Sequence, residues 1–253
     1  MAVSGTMLFA RYAYPPNELG YCGPGNASVL LGRGSAAAEQ QIAHHARQFE
    51  GAWPYLEIIA AAAHIADPLD ARVVEAYWIG NELLDNVNPE SLVSQLQERF
   101  GDQAGANWMP GLAHHSFQVF AVYPWVGLLR RGTGQGVALS VLEQCRIRWG
   151  EVVVVEGERV RVRSRPLVLC DGMLELGSLR EQTAAWSVDG SSLLTSELVG
   201  DGIALPPVSV GDQVAMHWDW VCDALSSAQV AQLEFRTADQ LARTNAGLRA
   251  AAG

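Results

Sequence analysis

The chain contains no lysine. All 17 basic residues are arginine, set against 27 acidic ones for a net charge of −10. Without a lysine amine there is no Schiff-base chemistry, no pyridoxal-phosphate anchor and no P-loop lysine. The acidic balance argues against nucleic-acid binding, which needs a basic surface to neutralise phosphates. Long apolar runs are missing as well. Ile58–Ile65 and Phe117–Leu129 are the longest charge-poor stretches, and both fall short of the ~20 residues of a membrane-spanning helix. The N-terminal residues lack the basic-then-apolar order of a secretory signal. Four cysteines, Cys22, Cys145, Cys170 and Cys222, form no CxxC pair, which removes zinc-ribbon and thioredoxin readings. A cytoplasmic protein with reduced thiols and no membrane attachment is expected.

What is present divides into two halves with different periods, an α+β chain. Residues 1–143 read as a mainly helical domain. Ser35–Phe49 opens on a capping serine. Asp67-Pro68 predicts the N-cap and first position of a helix through Ala71–Leu84, and Asn88-Pro89 those of a helix through Phe100. Leu92, Val93, Leu96 and Phe100 then share one face. Gly132–Gly136 predicts a break, followed by a short helix over Val137–Gln144. From Cys145 the period becomes two. Val152–Val155 and the alternating Arg159–Arg163 segment read as strands around a Glu156-Gly157 turn, with arginines outward. Pro166–Cys170 and Met173–Leu176 flank Asp171-Gly172. Gln213–Trp218 is a further strand, and Ser187–Pro207 yields no assignment. Ser226 and Gln229 form a capping box for a helix to Arg249. Residues 144–253 thus predict a small OB-like or Greek-key β-barrel with a C-terminal helix.

The order of motifs in this second half carries a resemblance. Cys145 is followed four variable residues later by Gly150 and a valine-rich strand. Val210-Gly211-Asp212-Gln213-Val214-Ala215-Met216-His217 comes later, then a hydrophobic segment and a helix. This arrangement resembles the HypC/HupF-type chaperones of [NiFe]-hydrogenase maturation. The resemblance spans roughly residues 144–245. It implies a cytoplasmic accessory protein that binds a hydrogenase large-subunit precursor or other maturation factors. It also implies a metal role for Cys145 and His217, which match the cysteine that holds iron with cyanide and carbonyl ligands and the histidine near it. A thiolate suits such low-valent iron, and an imidazole beside it can ligate or hydrogen-bond. Cys145 is internal, whereas the family's cysteine is N-terminal. Trp149 stands where the family has proline.

The helical half offers an alternative site. Cys22 lies in a loop dense in turn formers, Tyr14–Asn26. A helix beginning near Asn26 would lower its thiol pKa. With Glu18 and His115 it would form a catalytic group, or a site for a small ligand or metal. His114 and His115 open an aromatic run of Phe117, Phe120, Tyr123 and Trp125, read either as a packed helix with histidines at its polar end or as a buried pocket for a ligand or metal. The stripe of Arg159, Arg161 and Arg163 is a candidate strip for an acidic partner; the other reading is a solvated face paired with carboxylates.

Overall fold

In a computed structural model, residues 3–32, 35–101, 108, 110–130, 134–188, 191–194, 198–199, 203–204 and 207–250 are described. The first helix, α1 (Gly5–Glu18), starts where Ser4 Oγ accepts the Met7 N–H, and it carries Pro15 and Pro16 in its last turns. The sequence led us to expect irregular backbone there. The helix persists because the carbonyls of Pro15 and Pro16 still accept the N–H groups of Leu19 and Tyr21, and only the proline donors are missing. Helices α2 (Ala36–Ala46, capped by Ser35), α3 (Trp53–Ala62), α4 (Ala71–Trp78) and α5 (Pro89–Phe100, capped by Asn88) follow. The expected α4 start is corrected. Asp70, not Asp67, caps it by accepting the Arg72 N–H, while Asp67 accepts the Leu69 N–H one turn earlier. Nor does α4 reach Leu84. Gly80 (φ +100°) breaks it, with the Arg236 side chain 2.9 Å from where a Cβ would sit, and a 3-10 turn takes over at Glu82–Asn86. Leu92, Val93, Leu96 and Phe100 of α5 are all buried, as their spacing predicts.

A one-turn helix, α6 (His115–Phe117), runs into a π-helical turn at Gln118–Val122, then α7 (Trp125–Arg130) and α8 (Gln135–Cys145). The expected break at Gly132–Gly136 lies partly outside the described residues; within it, Gly134 caps α8 in the left-handed region.

The strands come next: β1 (Arg148–Glu156), β2 (Arg159–Ser164), β3 (Leu167–Cys170), β4 (Met173–Leu176), β5 (Arg180–Ala185), the two-residue pairs β6 and β7 (Ser187–Val188, Ser191–Ser192) and β8 and β9 (Leu198–Val199, Ile203–Ala204), then β10 (Gln213–His217) and β11 (Trp220–Ala224). Helix α9 (Ser227–Ala250) closes the chain, with the Ser226–Gln229 capping box formed. Hydrogen-bonded neighbours run β1, β10, β11, β5, β2 and back to β1. The β11–β5 joint rests on one parallel pair, Trp220 with Ala185, so the ring is thinnest at that seam.

Alternation along β10 and β11 decides what touches what. Val214, Met216 and Val221 point into the ring with Val152, Val160 and Val162. Ala215, Trp220 and Cys222 point the other way, into a core they share with Phe9, Tyr12 and Trp78 of the helices. The expected boundary at 143/144 thus falls at the end of α8, and one hydrophobic core continues across it. Arg11 of α1 pins the same junction by an ion pair to Asp223 of β11 at 2.7 Å, both side chains largely buried. Burial raises the Asp223 carboxyl even so, against the nearby guanidinium that lowers it.

Candidate functional site

Where the helices meet β10, a cavity of about 240 Å³ opens. Its walls include Cys22, Tyr77, Trp78, His115, Cys145 and His217. They come from five places in the chain. Cys22 rides on the loop after α1, which the buried Asn17 side chain cradles by donating to the carbonyls of Cys22 (2.8 Å) and Pro24 (2.6 Å). Gly23 (φ +83°) is required next to it, because a Cβ there would lie 2.3 Å from the Phe49 ring. Cys145 is the last residue of α8. His217 ends β10 with its ring on the helix side, and its Nδ1–H donates to the Tyr12 carbonyl at 2.6 Å. His115 Nε2–H donates to the Cys145 carbonyl at 2.8 Å, which leaves Nδ1 unprotonated 3.2 Å from the Tyr77 hydroxyl, whose one proton is shared with the Gly51 carbonyl at 3.0 Å. These bonds fix both tautomers for neutral rings.

The two imidazoles pack edge to face, with centroids 5.3 Å apart, and both lie against Trp78, at 4.6 Å from His115 and 5.8 Å from His217. Trp78 in turn stacks on Tyr12 at 5.4 Å. Its indole Nε1–H is buried with no hydrogen-bond partner. A buried donor left unpaired costs about 1–3 kcal/mol, so a wall residue carrying one suits a ligand that brings an acceptor. The exposed Tyr21 also lines the cavity, and it stacks on Trp218 at 4.2 Å. Trp218 makes the β10–β11 turn in the left-handed region (φ 51°), an uncommon conformation for a bulky side chain. Its N–H donates to the Gln144 carbonyl, and the buried Arg148 guanidinium donates to its carbonyl. Cys145 and Trp218 are therefore fixed to each other by backbone.

The site is electrostatically neutral by construction. Desolvation lowers His115 to about 4 and pushes His217 well below its ordinary value. Burial also pushes the Cys145 and Cys22 thiols up to about 12. At neutral pH the cavity thus holds two protonated thiols and two uncharged imidazoles. Neither thiol is an activated nucleophile.

The structure joins residues that the sequence placed in rival sites. Cys22 and His115, and Cys145 and His217, line one cavity. Glu18 does not: it is exposed, outside the lining, and hydrogen-bonds Tyr14. The helix expected to activate Cys22 is a five-residue 3-10 turn, Ala27–Leu31, and the thiol's shift is upward. His114 and His115 are not at a polar end either. Both are buried, and burial lowers His114 to about 3. His44 and His64 are exposed. Among the described residues no group of three or more His, Cys, Asp or Glu is placed to hold a metal ion. Arg161 pairs with Glu181 at 2.9 Å and Glu156 at 3.7 Å, and Arg163 with Glu151 at 3.1 Å, while Arg159 is exposed. Two of the three stripe arginines are thus already matched on their own sheet. Sequence reasoning missed Tyr77, Trp78 and Tyr21. The adjacent aromatics of α4, both buried, were the available signal.

Among the described residues no helix is long and apolar enough to cross a membrane. No curated protein and no solved structure matches the chain. The model of one family, a family of unknown function designated DUF6390, matches residues 1–251. That match takes in the helical half, the strands and α9 together, and the chain belongs to this family.

Proposed function

We propose that this protein is a cytoplasmic accessory factor of [NiFe]-hydrogenase maturation, which holds an iron fragment carrying cyanide and carbonyl ligands in the cavity between its helices and its strand ring. On this reading the ring is an OB-like barrel of the HypC/HupF kind, and the hydrogenase large-subunit precursor or another maturation factor is the partner. One observation carries it. Cys145 and His217, the two residues that the sequence resemblance singles out 72 positions apart, line the same cavity.

The donor set suits that cargo. A bare zinc ion asks for three or four protein ligands, and no such group is found among the described residues. An iron that brings diatomic ligands of its own needs only one or two from the protein, and a thiolate is the soft donor it favours. The His115 and His217 rings, neutral and locked by carbonyls, would add no charge of their own. Phe49, Trp125 and Val141 give the cavity apolar walls. Arg148, held by Gln182 and Trp218, positions the turn beside Cys145.

Affinity purification from cells making a [NiFe]-hydrogenase tests the reading. Recovery of the large-subunit precursor or of maturation proteins is expected. Recovery of none, in cells where a HypC-type chaperone retrieves them, would overturn it.

A further inference from the structure

Cys22 has no counterpart in the resemblance, yet it faces the same cavity as Cys145 from the opposite half of the chain. We infer that Cys22 and Cys145 act together as a pair of thiolate ligands for one soft metal centre that brings its remaining ligands with it. The inference rests on the reading of the cavity as a metal-fragment site and adds to it a second protein ligand, supplied by the helical half.

Four observations carry it. Both thiols line one cavity of about 240 Å³, small enough for a single compact ligand. Neither is in a disulfide. The loop presenting Cys22 is fixed by two bonds from a buried asparagine, which makes it a built wall and not a stray residue. Cys145 closes α8, whose end is tied to the β10–β11 turn by the Trp218 N–H on the Gln144 carbonyl, so its wall is built as well. Two neighbouring thiolates repel in an apolar cavity, and a cation between them removes that repulsion. Binding is a plain exchange. Each S–H bond breaks, its proton leaves to solvent, and a sulfur–metal bond forms with no change of oxidation state. The other two cysteines do not compete: Cys170 is exposed on the β3–β4 hairpin, and Cys222 is buried in β11 outside the lining. The metal would then tie the loop after α1 to the end of α8, with His115, His217 and Trp78 surrounding it.

Cadmium ion, a soft ion whose remaining positions buffer chloride or water can fill, is the probe. The full chain carrying Cys170→Ala is titrated with Cd²⁺, and the ultraviolet thiolate-to-cadmium charge-transfer band is followed. The expected result is a band saturating at one Cd²⁺ per chain. It is lost in Cys22→Ser and equally lost in Cys145→Ser, both with unchanged circular dichroism, and kept in Cys222→Ala. Protection in the unmutated chain needs no variant at all: bound Cd²⁺ should shield both Cys22 and Cys145 from maleimide, read by peptide mass. A band that survives in Cys22→Ser and vanishes in Cys145→Ser, or protection of Cys145 alone, overturns the pair and leaves the proposed function standing. A band indifferent to Cys145 overturns both. Absence of any band or protection in the parent chain overturns the pair as well.

Discussion

The interior of the strand ring and the junction between ring and helices meet back to back on β10 and β11, yet their contents differ. Inside the ring the side chains are almost wholly aliphatic: Val152, Val160, Val162, Val214, Met216 and Val221. One residue along β10, on the opposite face, stands His217, and around it gather His115, Trp78, Tyr77, Cys22 and Cys145. Burying polar groups costs free energy unless each finds a partner. The ring avoids that cost, whereas the junction accepts it and meets it with bonds from His115 and His217 to backbone carbonyls. The lesson is a division of labour along β10: one face packs an aliphatic interior, and the other presents His217 to the cavity.

Breaking the junction should have the largest effect. Arg11→Ala strands the buried Asp223 carboxylate, so a loss of about 3–5 kcal/mol is expected, read from urea melts. Met216→Ala empties the ring instead and should cost about 2–5 kcal/mol. The contrast lies in the ligand. Met216→Ala should keep Cd²⁺ binding in the chains that remain folded, and loss of binding there would dissolve the distinction between the two faces.

Acid sharpens the same comparison. His115 titrates near 6.5 when unfolded and about 4 in the fold. Between those values the unfolded chain binds the proton and the folded chain does not, so stability is full above pH 6.5 and falls as pH drops towards 4. For His115 alone the loss is on the order of 3 kcal/mol. His114 and His217 shift in the same direction and steepen the slope. Urea midpoints from pH 7.5 to 4.5 should fall, and His115→Gln should flatten the dependence. An unchanged slope in that variant would mean that folding does not shift the His115 imidazole. The smallest effect is expected on the outer surface. Arg161→Ala removes exposed pairs with Glu181 and Glu156 and should cost under ~1 kcal/mol. A large loss of partner binding in that variant would restore the arginine stripe as a docking strip.

The two faces also explain how far the sequence could be read. Strand β2 is exposed on one side, so Val160 and Val162 alternate cleanly with Arg159, Arg161 and Arg163 and the strand is plain. Strand β11 is buried on both sides over most of its length, reading Trp-Val-Cys-Asp-Ala. It shows no alternation, and only a hydrophobic segment was legible there. Strand β5, Arg-Glu-Gln-Thr-Ala-Ala, lacks β-branched residues apart from Thr183 and went unassigned. Helix starts were legible wherever a side chain caps them, as at Ser35, Asn88 and Ser226. Asp67 misled because an aspartate can also bond a turn N–H just ahead of the true cap. All four of the site's thiol and imidazole residues were named from sequence, but as two sites. Their convergence depends on α1, α8 and β10 meeting, a tertiary fact that no local pattern records.

The most direct test is an infrared spectrum of the protein purified without oxygen from cells expressing a [NiFe]-hydrogenase and its maturation machinery. The account predicts cyanide and carbonyl stretching bands in the unmutated chain and their loss in Cys145→Ala, with the variant still folded. Bands that persist unchanged in Cys145→Ala would contradict it.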